Sequence, residues 1–304
     1  MYAGIDAGGT KTEICFCDSS GHVVSRSVSQ GVNAARTGAA AAARHIAEEI
    51  KTIAPAGAFR LYAGIAGAGS KAISAEIHAL LTSMLPEASA IAVASDAFNG
   101  LNSEVGTGDG IALIAGTGSS AFVRRGGSIT QVGGRGYLID DAGSGYWVGR
   151  ECLNAAFRAK DGRGNSTLLV HAAERQLGCA IEDSIPVIYE GGSSFVAAFA
   201  PVVFECAGDP VADTIAESCA RELWRHVEAC THHYGGMPPV CVATGGMFKA
   251  AFLRNRLTEY ASEAGIRMVF PAVPPVAGAV IAAAAENADA EFIKNLKDDL
   301  NGLR

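Results

Sequence analysis

The start of this chain constrains its fold most, because a short apolar segment ends there in an acid and a glycine pair follows. The acid is Asp6, and the turn residues are Gly8, Gly9 and Thr10. Apolar and β-branched residues then resume, so the pattern predicts a strand, a tight turn and a second strand. Glycine lets backbone N–H groups approach an anion closely, and a carboxylate at a strand end suits a hydrated Mg²⁺ ion. The segment is therefore a candidate phosphate turn, with Asp6 as the residue that binds magnesium through water.

This turn matches neither a P-loop nor a dinucleotide-binding fingerprint. Gly4 and Gly9 have the P-loop separation, but Thr10 stands where the lysine belongs, and a strand follows instead of a helix. An ordinary glycine turn in a β-hairpin explains the same residues equally well. The choice between these interpretations depends on the rest of the chain.

Length and composition narrow the class of protein. A chain of 304 residues, 49% of them hydrophobic, indicates two domains or one large one, with enough apolar material for real cores. The net charge of −7 argues against a nucleic-acid partner. We expect no signal peptide, because Met1 leads straight into the first predicted strand, and the longest apolar run, residues 276–285, is too short to span a bilayer. We therefore expect a cytoplasmic protein with no membrane partner.

The cysteines and histidines do not form a metal-binding pattern. None of the eight cysteines forms a C-x-x-C pair. Cys15 and Cys17 share one face of a predicted strand, where small buried hydrophobes are favoured over a metal pair. Free thiols are expected in a cytoplasmic protein. His226, His232 and His233 lie on a predicted long helix without companion ligands, which favours solvated or helix-end histidines.

The order of the predicted elements repeats along the chain. Residues 1–105 have the order β-β-β-α-β-α-β, with a short helix after Asp96, and form the first predicted domain. A similar order begins near residue 110 and forms the second domain, residues 106–287. The segment 102–109 is rich in Gly, Ser and acids and connects the two. The repeat predicts a duplicated α/β fold with a ligand in the cleft between its halves.

The second half also opens on a strand that ends in glycines and hydroxyls, here Gly116, Thr117, Gly118 and Ser119. Further strands are predicted at residues 120–124, 128–132, 240–243 and 268–270. Helices are predicted at residues 143–160, 165–178, 210–233, 247–264 and 276–287, followed by an amphipathic helical tail.

Six short motifs, in this order and spacing, make the chain resemble a known superfamily. They occupy residues 4–11, 95–97, 114–119, 133–136, 141–145 and 244–246. The chain resembles the sugar-kinase, heat-shock-ATPase and actin superfamily, and within it the N-acetylglucosamine and glucosamine kinases of the BadF/BadG/BcrA/BcrD ATPase group. The resemblance implies two ribonuclease H-like (actin-like ATPase) domains with a central cleft, the first completed by a C-terminal helix, 288–304. It also implies phosphorylation of the 6-hydroxyl of an amino sugar, with ATP and Mg²⁺ as cofactors.

The resemblance also assigns residues to roles. It implies nucleotide binding by Gly8, Gly9, Thr10, Gly116, Thr117, Gly118, Ser119, Gly208, Gly245 and Gly246. It implies sugar binding by Asn33, Asp96, Gly134, Gly136 and Asp141. Asp96 would be the catalytic base. The expected partners are ATP and a small amino sugar, and a homodimer is left open.

Departures from the family pattern concern the sugar. Ala34 and Ala35 stand where animal relatives carry an aromatic residue after the asparagine. Arg135 replaces a tryptophan often found between the two glycines, and Asp140 replaces a glycine before the sugar-binding acid. These changes leave open the 2-substituent of the sugar and whether Asp140 or Asp141 contacts it.

The chemistry of Asp96 supports the role of base independently of the resemblance. A sugar hydroxyl is a weak nucleophile, so a carboxylate within hydrogen-bond distance should accept its proton. Asp96 follows an apolar strand, at the kind of strand end where open α/β sheets bind ligands. The alternative is a helix N-cap, and the two roles are compatible. Asp141 has the same alternative, and Asn33 fits a turn residue equally well.

Two other functions are weighed against a sugar kinase. A BadF-type ATPase that activates a 2-hydroxyacyl-CoA dehydratase would hold an iron–sulfur cluster with two cysteines per chain, and no cysteine pair here lies in a suitable glycine-rich loop. A sugar-sensing regulator would carry a DNA-binding domain and a zinc-binding cysteine cluster, which this sequence lacks. A kinase with ATP and magnesium is therefore the favoured prediction.

Overall fold

The structure, a computed structural model, describes residues 1–302. The strands are β1 (Tyr2–Ala7), β2 (Lys11–Cys17), β3 (Val23–Gln30), β4 (Phe59–Ile65), β5 (Ala88–Ala94), β6 (Gly110–Ala115), β7 (Ser119–Arg125), β8 (Ser128–Val132), β9 (Cys241–Thr244) and β10 (Met268–Val269). The helices are α1 (Ala34–Thr37), α2 (Ala39–Ile53), α3 (Lys71–Met84), α4 (Ala97–Val105), α5 (Gly145–Lys160), α6 (Leu169–Leu177), α7 (Ile185–Ala197), α8 (Ala200–Glu205), α9 (Pro210–Tyr234), α10 (Ala251–Glu263), α11 (Val276–Ala284) and α12 (Ala290–Gly302).

Within residues 1–302 the strands form two five-stranded sheets of the same design. The first has the order β3-β2-β1-β4-β5, with β1 antiparallel to β2 and parallel to β4. The second has the order β8-β7-β6-β9-β10, with β6 antiparallel to β7 and parallel to β9. Each sheet thus starts as a meander and continues with two parallel strands reached through helices. The predicted duplicated α/β fold is confirmed.

The chain divides into two compact units, residues 1–108 with 271–302, and Asp109–Phe270. This division differs from the expected boundary at residue 287, because α11 belongs to the first unit. All residues of α11 are buried, and a helix that is apolar on every side needs packing partners all round. It obtains them from β1, β4 and α4, and from α12 at its end.

The two faces of the first sheet are covered differently. Along β1, Ala3, Ile5 and Ala7 pack with α2 and α3 in one cluster, while the alternate residues face α11. The tail forms the expected amphipathic helix, α12, which buries Phe292 and Leu296 beside α11. Burying each such side chain contributes about 1.5–3 kcal/mol. Positions 303 and 304 of the predicted tail helix lie outside the described residues.

Several elements differ from the sequence prediction. The segment 102–109, expected to be irregular, is helical up to Val105. The helix expected at 165–178 begins only at Leu169, and the one expected at 247–264 begins with a 3₁₀ turn, Gly246–Lys249, before α10. Helices α7 and α8 were not predicted; α7 contains Gly192 at φ 64°, so local propensity is weak there and packing against α5 and the rest of the core stabilises it. Among residues 1–302, no helix combines the length and apolar character that a membrane span requires.

Candidate active site

In the first unit, the candidate residues gather at the carboxyl ends of the parallel strands. β1 ends just after Asp6, Asn33 forms a bridge to Ala66 at the end of β4, and Asp96 follows β5. Because β1, β4 and β5 are neighbours in the sheet, these ends lie at one edge. This is the edge where open α/β sheets bind their ligands.

The predicted phosphate turn is the tight hairpin connection between β1 and β2. Its first N–H, on Gly8, donates to the carbonyl of Lys11 at 2.9 Å and so closes the turn. Gly9 and Thr10 are exposed, and they are the residues of the turn open to an anion. Gly31 packs against this turn so closely that a Cβ there would lie 2.5 Å from backbone atoms of Gly9 and Thr10. The sequence prediction missed Gly31. Its only signal in the sequence was a glycine just after β3.

Asp6 is a half-buried carboxylate with one strong partner. The Asn99 side-chain amide donates to its Oδ1 at 2.7 Å. Burial raises the pKa of Asp6 to about 6; the Asn99 hydrogen bond and Lys11 oppose the rise, and the negative charges of Asp96 and Glu13 add to it. Any cation bound beside Asp6 would favour its ionised form.

Asp96 does not act as a helix cap in this structure. It occupies the position before α4, but its side chain makes no capping hydrogen bond. The Ser95 hydroxyl accepts the Ala97 N–H at 3.3 Å instead and lies 3.3 Å from Oδ1 of Asp96. Burial raises the pKa of Asp96, and hydrogen bonds from the Ser95 hydroxyl and from the backbone N–H groups of Ala97 and Asp96 offset the rise in part. The carboxylate is therefore available for chemistry.

Asn33 is a helix cap. Its Oδ1 accepts the Ala35 N–H at 3.1 Å at the start of α1, so the turn interpretation holds for the side-chain oxygen. A sugar contact from this side chain would come from the amide N–H groups. That contact stays a prediction.

In the second unit, the turn between β6 and β7 is joined to the start of α5. Gly145 donates to the carbonyl of Gly116 at 2.7 Å, and Tyr146 donates to that of Thr117 at 3.0 Å. Thr117 is exposed. Ser119 is 3% exposed, and its hydroxyl donates to the carbonyl of Ala142 at 2.8 Å. The Ser119 hydroxyl thus holds the segment before α5, and Thr117 is the exposed hydroxyl of this turn.

Asp141 lies against the same turn. A Cβ on Gly118 would lie 2.7 Å from Oδ2 of Asp141, so glycine is required for this approach. Asp141 adopts φ 60°, unusual for a residue with a side chain. Its Oδ1 accepts the Gly136 N–H at 3.1 Å, and burial raises its pKa. It does not cap α5, because Ser144 accepts the Trp147 N–H there.

The loop before Asp141 contains the other predicted sugar residues. Gln131 donates to the carbonyl of Gly134 at 3.2 Å, and the backbone N–H of Arg135 donates to Asp140 at 3.1 Å. His226, expected at the solvent, is 8% exposed and lies against the backbone of this loop at Gly133. The prediction for His226 was wrong because α9 packs on β7 and β8, which the helical pattern alone does not indicate.

The remaining predicted nucleotide residues lie at two places in the second unit. Gly245 and Gly246 are exposed at the end of β9, which pairs with β6 up to the residue pair Ile114 and Thr244. An apolar cavity of about 420 Å³ adjoins Gly246 and is walled by Pro201, Phe204 and Met247 among others. Gly208 stands in the turn before α9 with φ 93°, and its N–H already donates to Asp213 at 3.1 Å.

The cysteines, all within the described residues, are free thiols, and Cys179 alone is exposed. Cys15 and Cys17 are buried with α11 and α12, as expected for small hydrophobes. Among residues 1–302, His, Cys, Asp and Glu side chains form no group of three or more that could hold a metal. A metal bound at Asp6 would therefore take its other ligands from water and substrate.

Comparisons with known proteins identify the family of this chain. A family model described as the BadF/BadG/BcrA/BcrD ATPase family matches residues 3–283. The chain is 32% identical over 246 residues to an N-acetyl-D-glucosamine kinase from Dictyostelium discoideum, covering 74% of this chain and 77% of that one. It is 28% identical over 250 residues to a glucosamine kinase from Vibrio cholerae, covering 79% and 83%.

Solved structures share the fold. A candidate N-acetylglucosamine kinase from Chromobacterium violaceum has a TM-score of 0.74 at 25% identity, covering 93% of this chain and 98% of that one. A ROK family glucokinase from Streptomyces griseus, in complex with glucose and AMPPNP, has a TM-score of 0.59 at 15% identity, covering 93% and 97%. The second likeness concerns the fold alone.

Proposed function

We propose, because this chain belongs to the BadF/BadG/BcrA/BcrD ATPase family, that it is an ATP-dependent kinase that phosphorylates the 6-hydroxyl of N-acetylglucosamine or glucosamine. The observation that carries the proposal is the carboxylate of Asp96. It stands at the end of β5, its pKa is raised, and it makes no capping hydrogen bond. A general base needs this combination of position, availability and basicity.

Magnesium fits the first unit. Asp6 stands at the end of β1 and turns one carboxylate oxygen to Asn99, which leaves the other for a metal-bound water. Mg²⁺ is usually held by one or two carboxylates together with waters and phosphates. When bound, the ion would neutralise phosphate charge. Phosphoryl transfer depends mainly on such neutralisation and on positioning.

The nucleotide and the sugar are assigned to residues with matching chemistry. The exposed turn residues Gly9, Thr10 and Thr117 offer N–H and hydroxyl donors to phosphates. The apolar cavity beside Gly246 suits the adenine ring. Asp141 is held against Gly118 and suits adjacent sugar hydroxyls, because a carboxylate accepts two hydrogen bonds at once.

The alternative of a dehydratase activator finds less support. Its cluster would need two thiolates from each chain at the surface. Seven cysteines are buried, and burial raises the pKa of Cys15 and Cys152 to about 12. The thiolate is the form that binds iron, and burial disfavours it at these cysteines.

A phosphorylation screen tests the proposal. Purified protein is incubated with ATP, Mg²⁺ and one sugar at a time, among them glucosamine, N-acetylglucosamine, glucose and N-acetylmannosamine, and ADP release is measured together with the mass of the sugar product. We expect a 6-phosphate of one of the first two sugars. Sustained ATP hydrolysis without any phosphorylated sugar would reject the proposed kinase activity.

We predict that Asp141→Asn raises the KM for the sugar roughly tenfold or more, because a hydrogen bond to a charged group is worth about 1.5–3 kcal/mol. The matched control is Asp140→Asn, since Asp140 is the neighbouring acid and binds the backbone of Arg135. The KM for ATP should stay near its original value in both. A larger sugar effect from Asp140→Asn would transfer the sugar contact to Asp140.

A further inference from the structure

Asn99 is a fully buried polar residue that lies between the two candidate acids of the first unit, Asp6 and Asp96. It lies three residues beyond Asp96, and its backbone N–H donates to the carbonyl of Asp96 at 3.0 Å in the first turn of α4. Its Nδ2 donates to Oδ1 of Asp6 at 2.7 Å and to the carbonyl of Ile5 at 3.2 Å. The helix that starts at the candidate base is thus hydrogen-bonded to the candidate magnesium residue.

Stability alone does not explain an asparagine at this position. The Oδ1 atom of Asn99 has no hydrogen-bond partner among residues 1–302. Rotating the amide by 180° would turn that oxygen toward two other oxygens, those of Ile5 and Asp6. A buried acceptor without a partner costs about 1–3 kcal/mol. An apolar side chain of similar size would avoid this cost.

The neighbouring strand leaves space for the Asn99 amide. In the register of β1 and β4, Gly64 lies opposite Asp6. The three atoms nearest to a Cβ built on Gly64 all belong to the Asn99 amide, and they would overlap with it. A Cβ built on Gly278 of α11 would likewise overlap with the backbone carbonyl oxygen of Asn99. The position of Asn99 is therefore defined from two sides.

We infer that Asn99 is a positioning residue, which holds the Asp6 carboxylate in one orientation and fixes its separation from Asp96. The inference rests on the proposed function, in which Asp6 binds magnesium with the nucleotide. Hydrogen-bond partners of metal-binding groups typically change metal affinity or activity roughly 10–100-fold when they are removed. The side chain of Asn99 is fully buried, and its hydrogen bonds go to Asp6 and to the backbone of Ile5.

The experiment compares Asn99→Leu, which keeps the volume without the donor, with the unaltered protein. Binding of Mn²⁺ in the presence of the non-hydrolysable nucleotide AMPPNP is followed by electron paramagnetic resonance. We expect the dissociation constant for Mn²⁺ to rise roughly 10–100-fold. Leucine removes the hydrogen bonds to Asp6 and Ile5 but also the Asn99 oxygen that has no partner, and because these two effects on stability oppose each other, the thermal midpoint should change little. Ser103→Ala is the control, because Ser103 is buried on the same helix and donates only to the carbonyl of Gly100.

A second pair of variants keeps the test decisive if Asn99→Leu fails to fold. Gly64→Ala should displace the amide and weaken Mn²⁺ binding, whereas Gly64→Ala added to Asn99→Ala should cause little further loss. Unchanged Mn²⁺ affinity in folded Asn99→Leu, additive losses in the Gly64 pair, or no protein-bound Mn²⁺ in the unaltered protein would each overturn the inference. Failure of the sugar screen alone would not, because Mn²⁺ binding with AMPPNP needs no sugar.

Discussion

Replacing Asp96 with asparagine is expected to lower turnover roughly 10²–10⁴-fold, which is the usual contribution of general acid–base catalysis. Asparagine keeps the shape of the side chain and can accept a hydrogen bond from the sugar hydroxyl, but it cannot accept its proton. The KM for the sugar should therefore change much less than kcat. Steady-state kinetics on the folded variant measure both values.

The control for Asp96→Asn is an aspartate that does cap a helix. Oδ1 of Asp289 accepts the Phe292 N–H at 2.8 Å at the start of α12. Asparagine caps a helix about as well as aspartate, so Asp289→Asn should leave both turnover and stability nearly unchanged. Near-normal turnover of Asp96→Asn would reject the role of base and direct the search to Asp141 and Asp140.

The pH dependence of the unaltered protein gives a second check on Asp96. The base must be ionised, and burial raises the pKa of Asp96 above its ordinary value of 3.8. Activity should therefore be complete above the raised pKa and fall about tenfold per pH unit below it. The part of this limb that Asp96 contributes should be absent from the residual activity of Asp96→Asn, while a limb from Asp6, whose pKa burial raises to about 6, should remain.

Removing magnesium is expected to abolish turnover. Excess chelator should reduce the rate to background, and added Mg²⁺ should restore it. Within residues 1–302, no Lys or Arg forms a hydrogen bond or ion pair with Asp6, so no side-chain cation there can take the place of the metal ion. Asp6→Asn should raise the Mg²⁺ concentration needed for half-maximal rate roughly 10–100-fold.

The control for Asp6→Asn is Asp298→Asn. Asp298 lies on α12 in the same unit, is exposed and is distant from Asp6 in the sequence. Asp298→Asn loses the same charge and should keep the Mg²⁺ requirement of the unaltered protein. Full activity of the unaltered protein in chelator would contradict the metal role of Asp6. Equal Mg²⁺ requirements of the two variants would show that net charge, and not the position of Asp6, controls the response.

The sequence by itself determined the local elements and the duplicated order. The alternation of Ala3, Ile5 and Ala7 with more polar residues is a property of a strand, and the glycines at 8 and 9 and at 116 and 118 permit tight turns wherever the strands are placed. These features depend on neighbours in the chain. They were sufficient to predict the α/β class and to single out Asp6 and Asp96 at strand ends, whereas Asp141 was assigned by the family resemblance.

Only the tertiary structure decided which of those residues have free functional groups and which elements share a core. The Ala97 N–H at the start of α4 donates to the Ser95 hydroxyl, and the Ser119 hydroxyl donates to the carbonyl of Ala142. The Asn99 amide packs against Gly64 and donates to Asp6. Helix α11 joins the first unit although it follows the second in sequence. Such outcomes depend on contacts between residues far apart in the chain, and local periodicity contains no information about which distant partner a side chain will meet.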